Sequence, residues 1–200
     1  MMKDISRLAR PGRRSAEGDV RRGIDLIDLV RLAHYDLADP DGPDALRAAE
    51  RRATRIVAYD ALAVPALLQT PEYARFLGND PDRAEVLHRH LPPVCEFFLH
   101  ETALHAWAGD QEVLDDQLAA LARRDDVRLV PFTAGCRPEL RHSFTLLAFA
   151  VGGPAVHAEA LSEQVDVIAR FQVAVEVLRR CALDVDESRR VFASPCEAAG

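Results

Sequence analysis

Glu101, His105, His157 and Glu159 are the side chains of this 200-residue chain whose types and neighbours best suit proton transfer. Glu101 falls at a predicted junction of strand and helix, between His100 and an apolar run over 104–107. A carboxylate there could hold a cationic group or, once desolvated, work as an acid or base. It could equally sit at a helix N-terminus for the sake of the backbone dipole. Glu159, predicted to end the second strand of a hairpin beside His157, has the same two readings. Were strands 94–99 and 155–160 neighbours, the two carboxylates would share one cleft.

A second group has the character of ligand contacts. Gln69 and Tyr73 lie in a short apolar turn whose backbone is restricted by Pro65 and Pro71. Trp107 follows the candidate Glu101, and Arg141 and His142, with Cys136, are lid candidates in the polar loop 133–143. For Gln69 and Tyr73 the preferred reading is architectural, with Leu67, Leu68 and Tyr73 plugging a core and Gln69 tying down the loop. No metal or cofactor is expected. His88 and His90 are two apart and His100 and His105 five apart, neither spacing aligning two ligands on a helix face. P-loop, dinucleotide and nucleophile-elbow motifs do not occur.

The elements that must position these residues follow from pattern. A short amphipathic helix is predicted over 23–35, then a breaker at 39–43, then a helix from Asp44 through about Tyr59. After the proline-bracketed turn, 78–81 separates two helices, the second ending at His90 before Pro92 and Pro93. Strands are predicted at 94–99, 127–132, 144–151 and 155–160, the last two joined by a Gly-Gly-Pro turn at 152–154. Helices are predicted at 101–107 and 110–124, from Ser162 through Cys181, and from Asp184 or Asp186 onward. The expected fold is α/β or α+β, one layered domain with a small sheet of three to four strands and about seven helices.

With 48% hydrophobic residues the chain suits one core of ordinary size. Residues 1–22 carry seven basic and three acidic side chains, a net of +4 that leaves −11 of the total −7 for the rest. They read as a flexible basic arm preceding a single domain over 23–200. A body so acidic repels phosphate backbones, so specific DNA binding is not expected. Neither a membrane span nor a signal-peptide core is seen, and the four widely spaced cysteines form no Cys-x-x-Cys pair, which suits reduced thiols in the cytoplasm.

Residues 64–77 read Val-Pro-Ala-Leu-Leu-Gln-Thr-Pro-Glu-Tyr-Ala-Arg-Phe-Leu. This block resembles the Val/Ile-Pro-Gly-Leu-Leu-Gln-Thr-Pro-Glu-Tyr-Ala signature of an actinobacterial family, the antitoxin-like C-terminal domain of Xre-type helix-turn-helix regulators. Further blocks fall in the family's order: Glu50 with Ala53, Ile56 with Tyr59, Glu101 with Leu104, Gln117-Leu118 with Leu121, 130–132, 143–147 and 156–159. The resemblance covers roughly residues 45–192. It implies an effector domain; the 49 residues before Glu50 are too few for the usual DNA-binding module of about 55 to 70 residues. Ala66 stands where the family has glycine, which points to a remodelled pocket.

Two functions are compatible with these observations. The preferred one is a stand-alone regulatory domain that binds a small molecule or a small partner protein, as a homodimer or paired with a full-length regulator. The other is a cofactor-independent lyase, cyclase or isomerase of specialised metabolism, with Glu101, Glu159, His105 and His157 as acid and base.

Overall fold

The computed structural model describes residues 42–105, 111–158 and 167–194. The predicted basic arm and the predicted helix at 23–35 lie outside them, as do Trp107 and Glu159.

Helix α1 (Gly42–Arg52) buries Leu46, Ala49 and Glu50, with Ala53 continuing the stripe just past its end, a spacing that makes one face of a helix. Arg51 and Arg52 occupy its last turn, where cations suit the helix dipole. The helix ends there, short of the predicted Tyr59. Strand β1 (Arg55–Asp60) follows, and it makes the sheet five-stranded instead of three- or four-stranded. Ile56, Val57, Ala58 and Tyr59 are buried one after another because β1 is central, paired on both edges and covered on both faces. Such a run has no alternation to betray a strand. Pairing begins just before it, where Thr54 N–H donates to Ala148 O at 2.7 Å.

Chain order along the sheet is β3-β2-β1-β4-β5, with β2 at Val94–His100, β3 at Val127–Val130, β4 at Phe144–Ala148 and β5 at Ala155–Ala158. Strands β1, β2 and β3 are parallel, whereas β4 runs antiparallel to both β1 and β5. The mixed α/β sheet therefore joins a parallel half to a C-terminal hairpin, whose turn uses Gly152 at φ 99°, a conformation that L side chains rarely adopt.

Side-chain alternation gives the sheet two buried faces. One carries Glu96, Phe98, Tyr59, Phe144 and Arg128 and meets α5 (Val167–Cys181): Phe144 packs on Phe171 with ring centroids 4.8 Å apart, and Arg179 binds Glu96 at 2.6 Å. Arg128, lying over the Phe98 ring, ties this face to the helix end through the carbonyls of Arg179, Ala182 and Leu183. The other face is covered by α1, by the connection from β1 to β2 with its 3-10 turns and α2 (Pro71–Phe76), and by α4 (Gln111–Ala122), which follows the short α3 (Thr102–His105). Helix α6 (Val185–Ala193) packs on α4 and β3. Asp184 and Glu187 form a reciprocal capping box at its start, as an Asp-x-x-Glu pattern requires.

Candidate functional site

The 64–77 block is a rigid turn leading into a helix. Thr70 accepts from Tyr73 N–H at 3.3 Å as the N-cap of α2, and Pro71 occupies the first helical position, where no N–H is missed. Proline has no N–H to donate, and beyond the bond from Leu68 N–H to Pro65 O at 2.8 Å the turn is held by buried side-chain amides. Gln69 donates to Val64 O at 2.7 Å and accepts from Asn79 at 2.9 Å. Gln117, 0% exposed, reaches across from α4, donating to Leu68 O at 3.0 Å and accepting from Thr70 N–H at 2.7 Å. Tyr73 is buried in the core behind the turn, with its hydroxyl accepting from Val64 N–H at 3.5 Å.

This turn forms one wall of a half-open cleft of about 440 Å³ at the carboxyl end of β1. Open α/β sheets place ligands outside the carboxyl ends of their strands, and the volume lies in the range that holds small molecules. The start of β4 and His157 of β5 make the opposite wall, and Leu46 and Glu50 of α1 close a third side. Ala66 lines the space.

Polar groups in the cleft are held in fixed directions. Asp60 Oδ1 accepts from Leu62 N–H and Ala63 N–H at 2.9 Å each, and from the Ser143 hydroxyl at 3.1 Å. Ser143 Oγ in turn accepts from Ala61 N–H at 3.1 Å, so the end of β1 and the start of β4 are locked together. Among the described residues Asp60 Oδ2 accepts no hydrogen bond, and no buried side-chain oxygen or nitrogen lacks a partner, so Oδ2 is open to the cleft or to solvent. Glu50, 2% exposed, is matched by Arg83 in a two-bond pair, Nη2 to Oε1 at 2.9 Å and Nε to Oε2 at 3.3 Å. Tyr59 donates to Leu140 O at 3.3 Å, and burial, reinforced by the Asp60 charge, pushes its phenol up to about 12. It remains a neutral hydrogen-bonding group.

Of the expected proton-transfer residues His157 lines the cleft, Glu101 and His105 do not, and Glu159 lies outside the described residues. Strand β2 is separated from β5 by β1 and β4, so strands 94–99 and 155–160 are not neighbours and no shared cleft follows from them. Glu101 Oε2 instead accepts from Phe132 N–H at 2.6 Å, fixing the loop after β3. His105 stacks on the Phe132 ring at 6.0 Å, and His100 meets the same ring edge-on at 5.2 Å. His100 Nδ1 accepts from Thr102 N–H at 3.2 Å; burial lowers its pKa, partly opposed by Glu101. Arg141 and His142 precede Ser143 without lining the cleft. Of the expected contacts, Gln69 and His157 do line it. Asp60 and Ser143 were missed because a helix was predicted through Tyr59, which hides the strand end that makes Asp60 conspicuous. The Asp-Ala-Leu-Ala sequence after such an end is the usable signal, since Asp bonds backbone N–H groups two and three residues on. Among the described residues no group of three or more His, Cys, Asp or Glu could hold a metal ion.

Residues 43–194 match the family model described as a domain of unknown function, DUF5753. The chain belongs to that family. Comparison with curated proteins and with solved structures gives no match. No helix among the described residues is long and apolar enough to cross a membrane.

Proposed function

We propose that the chain is a regulatory domain that takes a small molecule into the cleft at the carboxyl end of β1. The observation that carries this is the cleft itself: its walls come from three parts of the chain, and its polar groups are held by bonds to backbone amides and to neighbouring side chains. Preorganisation of that kind lowers the cost of binding. The resemblance of the 64–77 block to the effector domain of actinobacterial Xre-type regulators supports a regulatory role in the cytoplasm. The signal would pass to a small partner protein, a second copy or a full-length regulator, with no specific DNA binding by this acidic chain. Acid–base catalysis in specialised metabolism has one observation in its favour, that His157 lines the same cleft as Asp60.

Native mass spectrometry and thermal shift of the full chain against metabolite extracts test the proposal. A ligand at 100 times its Kd adds about 2.7 kcal/mol of stability, a readily visible shift. Ala66→Phe, which places a ring in the cleft, is expected to abolish that shift. A ligand that still binds this variant with equal affinity places the site elsewhere. Conversion of the bound compound to a product, lost in His157→Ala, would decide for the enzyme.

A further inference from the structure

Resting on the cleft as a ligand site, we propose that its ligand is an amine, an organic cation with an apolar body, and that Asp60 Oδ2 is the anchor for the ammonium group.

The charges decide the head group. Glu50, Asp60, Arg83 and His157 are the titratable acid and base groups on the walls; the phenol of Tyr59 lies on the α5 face, bonded to Leu140 O. Glu50 and Arg83 satisfy each other through two bonds. Asp60 has no salt bridge among the described residues: its three donors are two backbone amides and a hydroxyl. Its negative charge is thus the uncompensated one, in a chain of net charge −7 that draws cations generally. All three donors converge on Oδ1, which fixes the carboxylate plane and leaves Oδ2 as an acceptor facing open space. Ser143 is committed on both sides, donating to Asp60 and accepting from Ala61, so it positions the carboxylate. A single available carboxylate oxygen suits an ammonium group, whereas a hard divalent ion needs several oxygen ligands.

The remaining wall decides the body. Ala63 and Ala66 line the cleft half-buried, and Leu62, 68% exposed, and Leu77, 40% exposed, stand at its walls with apolar area still to bury. Covering them contributes roughly 25 cal/mol for each Å² removed from water.

The test uses the full chain with n-octylamine and 2-phenylethylamine as probes, each beside its matched alcohol and carboxylate, by calorimetry near neutral pH. Amines are expected to bind more tightly than both matched compounds. Asp60→Asn keeps an Oδ1 carbonyl for the three donors but turns the open position into an NH₂. It is expected to weaken the amines roughly 10- to 100-fold and the alcohols far less. Carbon-13 NMR of the wild-type Asp60 carboxyl, which needs no variant to fold, is expected to shift on amine addition and not on alcohol addition. Amine affinity unchanged in Asp60→Asn, an unmoved carboxyl resonance, or no amine binding at millimolar concentration overturns the inference. A carboxylate or alcohol that outcompetes the amines and is lost in Ala66→Phe overturns the amine head alone and leaves the cleft standing. Amine binding that survives Ala66→Phe overturns both.

Discussion

Pro65 and Pro71 have no N–H to donate to the turn they bracket, and Gln117 supplies much of what is lacking. Its amide meets both Leu68 O and Thr70 N–H, so Gln117→Leu strands a buried carbonyl and a part-buried amide. The expected loss is roughly 2–3 kcal/mol in urea unfolding, since each unsatisfied group costs about 1–3 kcal/mol. A loss below about 0.5 kcal/mol would show that water replaces the side chain. At this scale the sequence was informative where a residue serves its own neighbourhood. Gln69 does tie down its loop, and Thr70 does cap α2. Residues that serve distant segments gave no such sign: Glu101 looked like chemistry and proves to hold Phe132 N–H, and Gln117 sits 49 positions from the carbonyl it binds.

Elements were legible when their periods were clean. Four of the five strands follow from runs in the sequence, as does the last helix, whose start the sequence left between Asp184 and Asp186 and the structure puts after Asp184. Strand β1 did not, because a short continuous apolar run fits a fully buried helix segment as readily as a strand covered on both faces. The missed strand concealed the cleft, which opens at its carboxyl end. The ion pair of Glu50 and Arg83 joins α1 to the 3-10 turn at Arg83–His88, and Arg89 seals the junction by donating to the carbonyls of Arg51 and Ala53. Arg83→Met leaves a carboxylate buried without a partner and is expected to cost about 3–5 kcal/mol. The double change Glu50→Leu with Arg83→Met removes both charges and is expected to recover most of that loss. Equal destabilisation of the two variants would mean that packing, not the stranded charge, sets the cost.

Across the whole molecule, Glu96 stitches α5 to the sheet. Arg179 binds it through Nε at 2.9 Å and Nη2 at 2.6 Å, and Arg55 of β1 binds the same carboxylate. The Arg179 hydrogen bonds, with help from Arg55, hold its pKa below the usual carboxylate value against an opposing effect of burial. The unfolded chain therefore takes up this proton first as pH falls. The stabilisation is complete above the ordinary glutamate value of about 4.3 and is lost as pH drops through the lower native one. Wild type is expected to exceed Glu96→Gln in urea stability at about pH 6, with the gap closing at about pH 2–3. A gap independent of pH would contradict the assignment. The order of strands has a different consequence, for a chain leaving the ribosome. β1, β2 and β3 are all complete by residue 130, whereas the strand that covers the other edge of β1 begins only at Phe144. Until then the central strand is an exposed edge, a liability for pairing with other chains. Arrival of β4 shields that edge and brings the Ser143 hydroxyl to Asp60. The cleft is thus completed late in synthesis, in the same step that ends the hazard of aggregation.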